Sequence, residues 1–407
     1  MKYGLVGAQL GHSYSPFIHT LLGSSPYDLV SLSHDQLGSF LKAGDFEGLN
    51  ITIPYKKAVI PYLDHIAPEA EAVGAVNTIV HRQDGLWGYN TDCYGFLYAA
   101  ERAGIAFDGK KVLVLGSGGA SAAVKKAAAG AGAAEVLVVS RTGELNYSNV
   151  YDEADVEIVV NATPVGMYPD NGGRLIDISR FPRCSGVIDL IYNPLMTPLL
   201  LDARELGIPY TNGLSMLVAQ AKYASDLFFG IQRPDSIIDG ILKKTEQKVS
   251  NIVLVGMPGC GKSTVGKILA ASLEKGFVDT DLLVEQKAGK SIPDIFKDEG
   301  EAYFRTLEAN VIASVCKEGR QVIATGGGAV LNPGNVDNMR QNGIIVYLKR
   351  DIKELSTEGR PLSQQESLDA MLEKRRTFYE AASDIMVNVP AGPDETAALV
   401  TKELGWV

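Results

Sequence analysis

Residues 251–273 read NIVLVGMPGCGKSTVGKILAASL. The opening run is short and apolar and stops at a glycine, which predicts a buried strand over 251–255. Gly256 to Ser263 then fits G-x-x-x-x-G-K-[ST] without a mismatch. From Lys262 onward, Val265, Ile268, Leu269 and Leu273 recur at helical spacing. Strand, glycine loop and amphipathic helix in that order are the setting in which backbone N–H groups cradle phosphates. Gly259 and Gly261 let the loop close on the anion, Lys262 reaches the β/γ oxygens, and Ser263 coordinates Mg²⁺, with Thr264 beside it in the nucleotide-binding set. The stretch predicts a P-loop NTPase-type parallel α/β domain over 251–407 that uses ATP and Mg²⁺.

Downstream, further strands are expected at 276–278, 321–324 and 344–348. Asp279-Thr280-Asp281 follows the first of them. One carboxylate there can help hold the Mg²⁺ shell and the other can orient an attacking hydroxyl; a plain helix N-cap at Asp279 or Thr280 explains the same residues. Gly326-Gly327-Gly328 lets backbone pass close to a ligand, or forms a flexible turn. Arg305, Arg360 and Arg375 can clamp a carboxylate or a transferring phosphoryl group. Singly, each reads as a solvated surface arginine.

Upstream lies the short polar segment 243–251, KKTEQKVSN, which reads as a linker with its centre at 246–250. Before it, apolar runs alternate with helical stretches in an α/β pattern. Residues 1–96 form one α/β lobe, with strands near 3–6 and 49–53. Residues 97–212 look doubly wound and Rossmann-like, with strands at 111–115, 135–139 and 156–160 and a helix over 120–129. Residues 213–245 read as helices that return to the first lobe.

Gly116-Ser-Gly118-Gly119-Ala120-Ser121 follows the strand KVLVL and opens a helix. Its glycines admit a pyrophosphate to the backbone and to the helix N-terminus, although Ala or Ser stands at the third glycine of the strict pattern. The next strand ends in Val139-Ser140-Arg141-Thr142, where NAD sites usually carry an acid. Arg141 suits the 2′-phosphate of NADP instead. Polar clusters stand in apolar surroundings at Gly11–Pro16, Asn50–Lys56 and Asn90–Asp92. Reducing a ketone builds negative charge on oxygen, and a lysine held by a carboxylate can donate the proton. Lys56 and Asp92 are such residues, though alone they read as a structural ion pair.

The bulk properties bound the reading. The chain has 407 residues, 46% hydrophobic and 21% charged, enough for more than one core. A net charge of −10 argues against non-specific nucleic-acid binding. No apolar run reaches the roughly 18 residues of a membrane span, and the first residues lack a signal-peptide pattern. Cys93, Cys184, Cys260 and Cys316 are scattered, as expected of reduced thiols in a cytoplasmic protein. A homo-oligomer is compatible with this composition. All five histidines fall within the first 81 residues, so later acid–base work rests on Lys, Asp and Glu.

Taken together, the first 245 residues resemble shikimate dehydrogenase. The matching stretches are GHSYSP (11–16), NITIPYK (50–56), GAVNT (74–78), GYNTD (88–92), LGSGGAS (115–121), NATPVGM (161–167), DLIYNP (189–194) and NGLSMLVAQA (212–221). The resemblance implies that Ser13 and Ser15 hold a substrate carboxylate and that Thr52, Asn77, Asp92 and Gln220 hold ring hydroxyls. Lys56 and Asp92 would be the catalytic pair, with Tyr192 and Gly213 bordering the place where nicotinamide meets substrate. Cys93 departs from the family's usual glycine, and no second basic residue follows Arg141. His12 and His19 read as structural.

The chain from 251 to about 390 resembles shikimate kinase. The matches are the P-loop, Asp279-Thr280-Asp281, Gly300-Glu301 with Phe304-Arg305 and Glu308, the triple glycine, Arg360-Pro361-Leu362, and Arg375 with Tyr379. The resemblance implies that Asp281 positions the acceptor hydroxyl and that Asp279 sits near Mg²⁺. Arg305 and Arg375 would grip the substrate carboxylate, Gly327 and Gly328 would lie against the ring, and Arg360 would come from a mobile lid. The family's adenine-stacking arginine has only Lys353 in its stretch here.

The two resemblances meet on one metabolite, since shikimate is the product of one reaction and the substrate of the other. The expectation is a bifunctional shikimate-pathway enzyme of aromatic biosynthesis. It would reduce 3-dehydroshikimate with NADPH and phosphorylate shikimate at O3 with Mg-ATP. The alternatives are a quinate-preferring dehydrogenase joined to the same kinase, and a non-catalytic metabolite sensor. A sensor should have lost Lys56, Asp92, Lys262 or Asp281, and all four are present.

Overall fold

A computed structural model describes residues 2–11, 13–355, 367–390 and 392–406. The chain divides into two compact units, Met1–Glu246 and Gln247–Val407.

The first unit begins with β1 (Tyr3–Gly7), α1 (Ser15–Leu21), β2 (Tyr27–Ser31), α2 (His34–Ala43) and β3 (Gly48–Ile51). Then come β4 (His65–Ile66), α3 (Pro68–Val73), the hairpin of β5 (Thr78–Arg82) and β6 (Gly85–Tyr89), and α4 (Asp92–Arg102). These strands make one mixed sheet in the order β2-β1-β3-β5-β6-β4. The pairs β3–β5 and β5–β6 are antiparallel and the others parallel. A second sheet follows from β7 (Lys111–Leu115), α5 (Gly119–Gly130), β8 (Glu135–Val139), β9 (Ile158–Asn161), β10 (Gly186–Asp189), α6 (Pro198–Glu205) and β11 (Tyr210–Thr211). Its order is β11-β10-β9-β7-β8, all parallel. Val112, Leu113 and Val114 of β7 are fully buried, as expected for a strand covered on both faces.

Two helices close the unit, α7 (Gly213–Phe229) and α8 (Ser236–Val249). Asn212 caps α7 by accepting the Leu214 N–H at 3.0 Å, and Gly230 ends it at φ +63°. Helix α7 returns to the first sheet, where Phe228 stacks on Tyr3 with centroids 5.2 Å apart. Gly48 makes room for that ring, because a Cβ there would lie 2.2 Å from Phe228.

The segment 243–251, read as the linker, holds the boundary between the two units and is mostly helical. The chain is helical through Val249. Ile238, Ile241, Leu242, Thr245 and Val249 are all buried and recur at helical spacing, so the polar residues among them are the wet face of an amphipathic helix. Past the unit boundary the helix end is bonded as well. Lys275 Nζ donates to the carbonyls of Gln247 and Ser250 at 2.7 and 2.8 Å, and Arg320 N–H donates to Val249 O at 3.1 Å. Polarity alone hid this period.

The second unit runs β12 (Asn251–Val255), α9 (Lys262–Ser272), β13 (Gly276–Asp279), α10 (Thr280–Ala288), α11 (Ile292–Asp298) and α12 (Gly300–Val315). It continues with β14 (Gln321–Ala324), α13 (Pro333–Asn342), β15 (Gly343–Lys349), α14 (Leu368–Ala382), β16 (Ile385–Asn388) and α15 (Pro393–Glu403). The sheet order is β13-β14-β12-β15-β16, parallel throughout. The apolar strand β12 sits in the middle, so the loop that leaves it opens at the carboxyl edge of the sheet, where ligands of such folds bind. Among the described residues no helix is long and apolar enough to cross a membrane.

Candidate active sites

In the first unit, the ends of β1 and β3, the start of α4 and the face of α7 surround a cavity of roughly 220 Å³. Ser13, Ser15, Thr52, Lys56, Asn77, Asp92, Ala120, Tyr192, Gly213 and Gln220 all line it. Residues far apart in sequence are thus brought to one wall. Lys56 Nζ donates to Asp92 Oδ2 at 2.7 Å, and Asn77 Nδ2 donates to Asp92 Oδ1 at 2.9 Å. Thr91 Oγ1 accepts from Asn77 at 3.0 Å and donates to Gln220 Oε1 at 3.2 Å. The Asp92 side chain is 11% exposed and that of Lys56 25%, so the pair is largely withdrawn from water yet open on the cavity side. An ammonium held this way is fixed in direction and keeps protons to donate.

The cavity also has walls to which the sequence reading gave no role. Leu5, Asn50, Ile51, Leu190, Met216 and Leu217 complete it. Asn50 stands inside a quoted motif and accepts from Tyr27 OH at 2.8 Å. His19 is buried against Tyr27, with centroids 4.1 Å apart, and burial pushes its imidazole down to about 3. It therefore stays neutral and belongs to the packing. His12 lies outside the described residues. Cys93 points away from the cavity chemistry, its thiol donating to Ala123 O at 3.5 Å, and burial raises it to about 11.

Beside the cavity, the turn of Gly116, Gly118 and Gly119 opens α5. Gly116 has φ +98°, which favours glycine. A Cβ on Gly118 or Gly119 would meet nothing within 4 Å, and no side chain caps the helix. Ser121 N–H already bonds Gly118 O at 3.1 Å, so the earlier N–H groups of the turn are the ones suited to an anion, and the bare glycine surface lets a pyrophosphate approach. Arg141 and Thr142 are exposed just past β8. These residues fit a dinucleotide with a phosphate on its ribose. Gly213 packs so tightly that a Cβ would lie 2.0 Å from Leu190 O.

In the second unit the phosphate loop has the strained turns its glycines allow, with φ +146°, +86° and +99° at Gly256, Gly259 and Gly261. Lys262 Nζ folds across the loop and donates to Gly256 O at 2.8 Å and Met257 O at 3.0 Å. Ser263 Oγ donates to Asp279 Oδ2 at 2.6 Å. Asp279 also caps α10, its Oδ1 accepting from Asp281 N–H at 3.0 Å. The same side chain therefore caps α10 and meets Ser263, one oxygen for each. A hydroxyl and a carboxylate oxygen in contact are the hard donors that suit Mg²⁺. Thr264 follows on the exposed side of α9. Arg350 was passed over in sequence, yet its Nη1 would lie 4.0 Å from a Cβ on Gly261.

The triple-glycine turn gathers the rest. A Cβ on Gly326 would lie 2.7 Å from both Asp281 Oδ1 and Glu308 Oε1, one on Gly327 2.7 Å from Pro258, and one on Gly328 2.5 Å from Arg305 Nη1. Asp281 and Arg305 thus both lie against the triple-glycine turn, at Gly326 and at Gly328. Burial pushes the Asp281 carboxyl up to about 6, against the pull of Lys262. Arg305 is held by Glu308 at 2.9 Å and Glu301 at 3.0 Å. Glu308 is buried, feels the charge of Arg375, and leaves Oε1 without a partner among the described residues. Arg375 is itself buried on α14. One turn further along, Tyr379 OH donates to Gly327 O and stacks on Tyr347. Arg360 lies outside the described residues.

Comparison with known proteins finds relatives for both units. The family model described as shikimate dehydrogenase substrate binding domain matches residues 5–79, and the one described as shikimate kinase matches 258–404. A shikimate dehydrogenase (NADP(+)) of Clostridium perfringens is 34% identical over 263 residues, covering 60% of this chain and 97% of that protein. The solved structure of a chorismate mutase/shikimate 5-dehydrogenase fusion protein from Clostridium acetobutylicum is similar at TM-score 0.58 and 35% identity, over 60% of this chain and 97% of that one. Shikimate 5-dehydrogenase from Thermus thermophilus, solved with NADP(H) and shikimate, is similar at TM-score 0.54 and 32% identity, over 60% of this chain and 99% of that one. The chain therefore belongs to the shikimate dehydrogenase family and carries a shikimate kinase domain behind it.

Proposed function

We propose that this bifunctional shikimate-pathway enzyme reduces 3-dehydroshikimate to shikimate in its first unit and phosphorylates shikimate at O3 in its second. The carrying observation is the Lys56–Asp92 pair, set with Asn77 and Gln220 in the wall of a cavity that also receives Ser13 and Ser15.

Gly116, Gly118, Gly119, Ala120, Arg141 and Thr142 would hold NADPH, which when bound would supply a hydride to the ketone carbon. As that carbon is reduced, its oxygen gains charge, and Lys56 Nζ gives it a proton, so that C=O becomes CH–OH. Asp92 holds the ammonium and, with Asn77, Thr52 and Gln220, accepts or donates to the ring hydroxyls. Ser13 and Ser15 donate to the carboxylate, while Tyr192 and Gly213 shape the wall toward the cofactor.

ATP with Mg²⁺ supplies the phosphoryl group for the second reaction. Gly259, Gly261, Lys262 and Thr264 hold the phosphates, and Ser263 and Asp279 supply oxygens to the metal. Asp281 takes the proton of the attacking hydroxyl. Arg305 and Arg375 hold the substrate carboxylate against Gly327 and Gly328, and Arg360 balances phosphoryl charge. None of the four cysteines is in a disulfide, which supports a place in the reducing cytoplasm.

The test is to incubate the purified chain with 3-dehydroshikimate, NADPH and Mg-ATP. NADPH loss and phosphate-ester formation should both occur. Omitting ATP should leave shikimate as the end product. Absence of NADPH oxidation, or an ester on any acceptor other than shikimate, overturns the corresponding half of the reading.

A further inference from the structure

Asp189 ends β10 and is completely buried, yet it lines no part of the cavity. Its carboxylate accepts from Asn161 Nδ2 at 3.1 Å on each oxygen, from Thr197 Oγ1 at 2.6 Å and from Ile191 N–H at 3.0 Å. Asn161 stands directly opposite, at the end of β9. Its own Oδ1 accepts from Thr163 N–H at 3.0 Å and Thr163 Oγ1 at 2.7 Å, and its Nδ2 also reaches Val165 O at 3.2 Å. The pair therefore fixes two chain segments, 161–165 through Asn161 and 189–191 through Asp189, and the donors of Asn161, Thr197 and Ile191 converge on one carboxylate. An excess of acceptors with no donor of its own is what a carboxylate supplies and an amide of the same shape does not.

Both segments end at the site. Leu190 and Tyr192 line the cavity. Gly213 N–H donates to Ile191 O at 2.9 Å, and its Cα rests against Leu190 O. On the other side, Thr163 touches Gly116 of the anion-binding turn, where a Cβ would lie 2.6 Å from Thr163 Cγ2. One buried group thus reaches both the glycine turn and the cavity wall.

We propose that Asp189 is a positioning residue of the dehydrogenase, which through Asn161, Thr197 and the backbone of Ile191 aligns the glycine turn with the wall of Leu190, Tyr192 and Gly213. The inference rests on the dehydrogenase reading above. It concerns the relative placement of cofactor and substrate, so its signature is a selective loss on the cofactor side.

The test uses the full chain with Asp189→Asn, Thr197→Val and the exchange Asn161→Asp/Asp189→Asn. NADPH binding is read from nicotinamide fluorescence, and KM for shikimate from the oxidative direction. For Asp189→Asn the NADPH dissociation constant should rise and kcat fall, each by about tenfold, with KM for shikimate nearly unchanged. Thr197→Val, which keeps the carboxylate and removes one donor, should move the same quantities by a smaller factor. The exchange should recover part of the loss, because carboxylate and amide still face each other. Thr197→Val decides if Asp189→Asn does not fold. Wild-type NADPH binding and kcat in the folded variants overturn the proposal, as does an equal loss of NADPH and shikimate affinity. A wild-type chain that neither binds NADPH nor reduces 3-dehydroshikimate instead sinks the dehydrogenase reading itself.

Discussion

Lys56 Nζ holds one oxygen of the Asp92 carboxylate, and Asn77 holds the other. Replacing Lys56 with alanine should cost the reduction step about 10²- to 10⁴-fold in kcat, the range of a general acid. Kinase activity of the same chain, measured by ester formation from added shikimate, should stay at the wild-type level. Retained reduction would remove Lys56 from the chemistry. Asp281 offers a test with a sign. Its folded carboxyl lies at about 6, above the ordinary 3.8, because burial disfavours the charge. Proton removal needs the ionised form, so kcat/KM for shikimate in the kinase reaction should fall below pH of about 6. For stability the same shift runs the other way. A raised acid binds more protons when folded, so its contribution is present below the unfolded value and lost as pH rises through 6. Asp281→Asn should therefore abolish phosphorylation while raising the melting point of the kinase unit at pH near 7. The gain should be on the order of 1 kcal/mol after solvent screening, and it should shrink near pH 4. Thermal melts at the two pH values check it, and an equal gain at both would contradict the assignment.

Between β14 and the short turn that follows it, the triple glycine shows how an element rather than a residue makes a site. Gly328→Ala places a methyl where Arg305 Nη1 now lies, 2.5 Å away. The guanidinium is held by Glu301 and Glu308, so it must leave those partners to make room. KM for shikimate should rise about tenfold or more in the kinase assay, with KM for ATP little changed. An unchanged KM would separate Gly328 from substrate binding. Elements of this kind were unevenly legible. Strands β7, β8, β12 and β14 could be read to the residue, because each is a short apolar run closed by a turn. Strand β2, YDLVS, was not seen, since an edge strand exposed on much of its length has little apolar pattern. The β5–β6 hairpin was missed although Asp84-Gly85 marks its turn. Site residues followed the same logic. The phosphate loop declares itself by spacing. Lys56 and Asp92 could be read as an ion pair, their catalytic role only by resemblance, whereas the closeness of Gly328 to Arg305 depends on the fold and was not read. Asp189 lay in a quoted motif, but nothing in the sequence says how many donors converge on it.

At the scale of the whole chain, the two proposed reactions share a metabolite but fall to two sets of side chains with no member in common. Lys262→Ala should accordingly leave the reduction intact and let free shikimate accumulate, measured by chromatography after complete NADPH consumption; slowed reduction would mean the two activities are coupled. Helix α8 bears on how such independence can be studied. Expressing the halves separately needs a place to divide the gene, and this helix offers none without loss. A stop codon before Ser236 strips Ile238, Ile241 and Leu242 from the dehydrogenase core. A start codon after Ser250 deprives Lys275 and Arg320 of the carbonyls they bond. A protease that needs an extended, unbonded backbone finds no substrate along it either. Each activity is thus better isolated by silencing its partner with a point substitution than by cutting the polypeptide, and a truncated half that proves unstable would report on the cut rather than on the enzyme.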